Sequence, residues 1–180
     1  MDTSLEELKY PIGRYERPDH YTPELLQEWI AVLRALPSWM DVCIENLDAA
    51  QLRVPYREGG WSTQQVIHHV ADSHTNAYIR IRLALTEDNP TIKPYDENAW
   101  ALLPDVDTVP VNISVTLLHA LHRRLVALME TLSPAQWERT YYHPEHKRNF
   151  TVWEMASLYA WHSRQHTAHI QQLRLRMGWQ

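Results

Sequence analysis

From Thr151 to Gly178 the chain spaces its apolar residues three and four apart, a period that only an α-helix turns to use. On a wheel of 100° per residue, Val152, Met155, Leu158, Tyr159, Ile170, Leu173 and Met177 share one face. The middle of that face holds His162, His166 and His169. A helix of this length must cover its apolar stripe with other elements, and what covers it decides the architecture.

Three further segments have the same period. Thr22 and Pro23 supply an N-cap and a first-turn proline to a segment reaching about Leu47, which Pro37 is expected to kink or split. Ser62 with Gln65 forms a capping box that opens a helix running through Leu85, stopped by Asn89-Pro90. A third helix is expected from Ile113 to Leu132. Ser133, Pro134 and Gln136 start a short helical turn, YYHPEHKRN is read as a loop, and Thr151 with Glu154 makes a second box before the last helix, which Gly178 ends. Residues 91–110 carry three prolines and no sustained period, so they are expected to form a long crossover loop between the second and third helices. With no strand-like alternation and no repeat, the expectation is an all-α four-helix bundle, a single domain over residues 1–180.

Composition narrows the function. The one cysteine, Cys43, excludes an internal disulfide and a CxxC site, and with no activating neighbour it is a poor nucleophile. A formal charge of −5 without a basic block argues against nucleic acid, and no apolar run has membrane-spanning length. The acidic start MDTSLEELKY has no secretory h-region, so a cytoplasmic protein is expected. Four glycines and no phosphate loop, GxSxG or HExxH leave no room for dinucleotide binding or the common hydrolase motifs.

A single inward histidine is most simply a core residue with satisfied hydrogen bonds. Three successive inward imidazoles reverse that reading, because each buried nitrogen needs a partner and one metal ion satisfies several. The second helix offers His68, His69 and His74. Its apolar face is set by Val66, Val70, Ala77, Ile81 and Ala84, so His68 is expected in solvent, His74 near the face's centre and His69 on its flank beside Ser73, Asn76 and Arg80. The wheel does not choose between His69 and His74.

The stretches REGGWSTQQVIHHVADSH, IRLALTEDNPTIKPYDENAW and YAWHSRQHTAHI resemble the DinB/YfiT superfamily, and within it the YfiT branch named for metal-dependent hydrolysis. The resemblance runs from YPIGRY to RMGW. It implies a four-helix bundle, usually a homodimer, with a divalent metal between helices. It also implies the ligands: the histidine eight residues after Trp61, which is His69, and the HxxxH pair of the last helix, His162 and His166. Where relatives have further histidine, this chain has Arg164 and Gln165, positions expected to face away from the stripe. His74 and His169 are candidates to line the cavity or support the ligands, and His143, in the family-like HPE stretch, is a further one. His20, His119, His122 and His146 are expected on the surface or in loops.

Three neutral imidazoles leave a fourth position of a divalent ion open to water, the arrangement of a catalytic site. Zinc is the expected metal, with nickel, cobalt or manganese as alternatives. Asp72, three residues after His69, is a candidate orienter or base, or simply a solvated helix carboxylate, and Asp96-Glu97 sit on a loop that can overhang the site. The expected activity is hydrolysis of a small molecule. The alternatives are transfer of a low-molecular-weight thiol, as in bacillithiol transferases, with Arg80 and Arg82 lining a thiol pocket, or a purely structural metal.

Overall fold

The computed structural model describes residues 4–179. In chain order these form α1 (Leu5–Lys9), α2 (Pro23–Ile44), α3 (Ala49–Leu52), α4 (Thr63–Thr86), α5 (Glu97–Trp100), α6 (Pro104–Thr108) and α7 (Val111–Met129). There follow α8 (Pro134–Trp137), the strands β1 (Thr140–His143) and β2 (Arg148–Thr151), and α9 (Val152–Met177). Helices α2, α4, α7 and α9 make a four-helix bundle in which α2 and α4 each pack on both α7 and α9. No helix among the described residues is long and apolar enough to cross a membrane.

The caps work locally as their residues require. Ser62 Oγ accepts from Gln65 N while the Gln65 side chain accepts from Ser62 N, and Gly178 ends α9 at a φ of 68°. Thr151 accepts from Glu154 N, but Glu154 does not return the bond. Its carboxylate is buried and takes two hydrogen bonds from Arg148, at 2.6 and 3.0 Å, and an ion pair from Arg17 at 3.1 Å.

Pro37 neither ends nor divides α2, which continues to Ile44, short of the expected Leu47. The carbonyl that the proline strands, that of Leu33, takes a hydrogen bond from His122 instead. The stretch expected as a loop before α9 is a β-hairpin, with Tyr141 opposite Phe150 and both rings buried. Its strands are four residues each, too short for alternation to register in the sequence. The connection from α4 to α7 is likewise not bare loop, since α5 and α6 lie within it.

The core falls into two apolar clusters, and their order along each helix gives the topology. One holds Leu33, Ile81, Leu125 and Met155; the other holds Leu36, Val66, Leu118 and Ile170. Helices α2 and α9 pass from the first to the second, whereas α4 and α7 pass from the second to the first. Consecutive helices α4 and α7 therefore run the same way, and residues 87–110 must return the length of the bundle between them. On that return Gln64 donates to Val106 O, and Gln65 donates to Ala101 O at 2.9 Å. Between the two clusters α4, α7 and α9 contribute His74, His122, His162 and His166, a polar layer through the middle of the bundle.

Candidate metal centre

His69 projects from α4, and His162 and His166 project one turn apart from α9. One ring nitrogen of each lies within 4.8 Å of the others, and His69 Nε2 stands 3.2 Å from His162 Nε2. Burial holds all three neutral. It presses His69 down to about 4 and His162 and His166 well below the ordinary imidazole value, with the neighbouring rings adding to the effect.

The donor set fits a metal of the zinc type. Two imidazole nitrogens each about 2.05 Å from one tetrahedral ion would be about 3.3 Å apart, close to the 3.2 Å seen here. Neutral imidazoles are also the form that ligates.

These rings floor a cavity of about 630 Å³. Trp61 covers His69, with ring centroids 4.5 Å apart, and Tyr56 stacks on His169 at 4.1 Å. The crossover segment contributes Tyr95 and Glu97, and the hairpin contributes His143 and His146. Arg80 lines the same cavity, half-buried, and has neither a hydrogen bond nor an ion pair among the described residues. Arg82 does not line it and donates to Tyr78 Oη at 3.0 Å. Tyr159 donates to Ser73 O at 3.1 Å on the inner wall.

The wheel left His69 and His74 open, and the structure gives them different places. His74 is fully buried beneath the cluster, with Nε2 3.1 Å from His162 Nδ1. His169 lines the cavity and meets His166 at 3.4 Å. Asp72 does not line the cavity and makes no hydrogen bond to a histidine; burial, and then the charge of Asp105 in α6, raise its carboxyl to about 6. It is therefore not the orienter that its spacing suggested.

Other expectations fail for a shared reason: α4, α7 and α9 are covered on more than one side. His68 is buried against α7 with Nδ1 2.7 Å from Ser114 Oγ, not in solvent. Gln165 is buried and donates to Lys9 O at 2.7 Å, while Arg164 does face outward, pairing with Glu28. His122, expected on the surface, is 1% exposed. Its signal was present, since it lies four after Leu118 and three before Leu125 on the apolar stripe of α7. His20 and His119 are exposed as expected; His146 is exposed yet lines the cavity. The Cys43 thiol, pushed up to about 12 by burial, faces Thr167 O and is inert.

Residues 33–170 match the sequence profile of the DinB superfamily. A Bacillus mycoides (strain KBAB4) protein named "putative metal-dependent hydrolase" is 47% identical over 97% of this chain and 100% of its own length. The Bacillus subtilis (strain 168) protein YfiT, which has the same name, is 46% identical over 96% of this chain and 97% of its own. The solved structure of YfiT, described as a probable metal-dependent hydrolase with an unusual four-helix bundle topology, superposes with a TM-score of 0.94 over 97% of this chain and 99% of that one, at 45% identity. A mycothiol-dependent maleylpyruvate isomerase shares the fold alone, at 21% identity and a TM-score of 0.58 over 78% of this chain and 60% of that one.

Proposed function

Because this chain belongs to the DinB superfamily, we propose that it is a metal-dependent hydrolase of small molecules in which His69, His162 and His166 hold one divalent ion. The observation that supports this most is the meeting of three neutral imidazoles on the floor of a cavity large enough for a metabolite. Zinc is the first choice for three imidazoles with an open fourth position, nickel the second. A bound ion supplies Lewis acidity, polarising a carbonyl-type oxygen and acidifying water.

The chain's own residues do the rest. Trp61 and Tyr56 shield the floor from bulk water, which strengthens every polar contact within it. Arg80, half-buried and without an acidic partner among the described residues, is suited to a carboxylate or phosphate on the substrate. His143, held neutral mainly by burial and lowered to about 4, lines the same cavity and is available as a proton acceptor.

The test is metal analysis of the purified protein followed by a panel of anionic esters, amides and thiol conjugates on metal-loaded material. His162→Ala is expected to lose both the ion and turnover by about a hundredfold or more. Unchanged metal content and turnover in that variant would overturn the assignment. Turnover of thiol conjugates only when a free low-molecular-weight thiol is added would replace hydrolysis with thiol transfer.

A further inference from the structure

A carbonyl oxygen carries no proton, so a chain of hydrogen bonds that ends on one has a fixed direction. Two such chains lead to the histidines of α9 on the cavity floor.

The first starts at Leu33. Pro37, four residues on, has no N–H, so the Leu33 carbonyl lacks its helical donor, and His122 Nδ1 lies 2.5 Å from it. That nitrogen must carry the proton. Burial keeps His122 neutral, so its Nε2 is bare and accepts from His74 Nδ1 at 3.0 Å. His74 Nε2 is then bare and accepts from His162 Nδ1 at 3.1 Å. His162 is left with its lone pair on Nε2, the atom that faces His69.

The second starts at Lys9, the last residue of α1, whose carbonyl lies in the final turn where a helix has no donor of its own. His169 Nε2 donates to it at 3.0 Å, beside the Gln165 amide, which donates to the same oxygen. His169 Nδ1 is therefore bare and accepts from His166 Nδ1 at 3.4 Å, which leaves Nε2 of His166 bare as well.

We infer that His74 and His122 on one side, and His169 on the other, are positioning residues that lock His162 and His166 as Nδ1–H tautomers with bare Nε2 atoms toward the cavity floor. The protons are ordered by two main-chain carbonyls that their helices leave without a donor. His69 has no such chain, since its Nδ1 meets no protein partner among the described residues. Without metal its Nε2–H donates to His162 Nε2, so His69 is the ring that must change tautomer when an ion binds. The role in holding metal rests on the proposed function above; the tautomers themselves do not.

Nitrogen-15 NMR of the histidine rings in metal-free protein at pH 7.5 tests the tautomers directly. The expected result is Nδ1–H for His122, His74, His162 and His166, and Nε2–H for His169 and His69. Titration with Zn²⁺ is expected to move the proton of His69 alone. An Nε2–H signal from His162 or His166 before metal is added would overturn the inference. If the tautomers hold but no divalent ion binds, the proposed function falls and the locking of the rings stands. Two variants then test the link to affinity. His122→Leu cuts the chain at its anchor without touching a ligand and is expected to weaken Zn²⁺ binding about 10- to 100-fold, with His162 showing mixed tautomers. His122→Gln, which again offers a donor and an acceptor, is expected to recover most of that loss. Affinity in the leucine variant equal to wild type, or equal losses in both, overturns the positioning role.

Discussion

Arg80 sits where a cation is hardest to keep, half-buried beside a site that would hold another positive charge, with no carboxylate of the described residues within ion-pair distance. An anionic substrate group answers that imbalance. A charge-assisted hydrogen bond to a charged group is worth about 1.5–3 kcal/mol, so Arg80→Ala is expected to raise KM for anionic substrates about 10- to 100-fold. Neutral substrates of the same reacting group should be unaffected, and Arg80→Lys should retain part of the binding. Steady-state kinetics on matched pairs decides it; equal effects on both substrate types would reject the role. The histidines differ in how readable they were. His162, His166 and His169 declare themselves by spacing on one stripe. His69 stands on the flank of its helix and was singled out by the family pattern rather than by periodicity. His122 was expected outside although it lies on the apolar stripe of α7, and its tie to the cluster shows only once Leu33 O and His74 are known as its partners.

At the scale of elements, the hairpin matters because it carries His143 and His146 to the cavity rim. What ties it to α9 is the Glu154 carboxylate, buried at the helix N-terminus and gripped by Arg148 from β2. Arg148 also lies over the Phe150 ring, 3.6 Å from its centroid. Removing one partner of a fully buried pair costs about 3–5 kcal/mol, but Arg148 is 42% exposed and Arg17 still reaches Glu154, so less is lost here. Arg148→Ala is thus expected to destabilise the fold by about 2 kcal/mol, whereas Arg14→Ala, which breaks the exposed pair with Glu6, should leave it nearly unchanged. Urea unfolding midpoints check both; equal shifts would show that burial of Glu154 adds nothing. The helix starts were legible because a cap is a contact within four residues of chain. The hairpin was not, because its pairing is decided by what its rings pack against.

For the whole molecule, eight buried or half-buried histidines that desolvation keeps neutral, His68 among them, predict acid sensitivity. His69, His122, His143 and His169 are lowered to about 4, and His74, His162 and His166 are lowered well below 6.5, in every case chiefly by desolvation. Well above pH 6.5 neither folded nor unfolded chain protonates them and stability is flat. Between 6.5 and about 4 the unfolded chain binds protons that the fold refuses, so stability falls as pH falls, by up to about 1.4 kcal/mol per pH unit for each such histidine. Asp72, raised to about 6, works in the opposite sense, since the fold takes its proton first, but it is one half-exposed group against many. Thermal melts of metal-free protein from pH 8 to 4.5 should therefore be level at first and then drop steeply below 6.5; a level profile down to pH 5 would contradict the buried neutral layer. By itself the sequence determined the four long helices, their caps and the stripe of imidazoles, because period and capping are set by residues within a turn or two of one another. Only the tertiary structure decided that α4 and α7 run parallel, that Asp72 does not line the cavity, and that stranded carbonyls at Leu33 and Lys9 order the histidine protons. Each of those depends on partners brought from far along the chain, and no local pattern encodes which face of a helix a distant neighbour will cover.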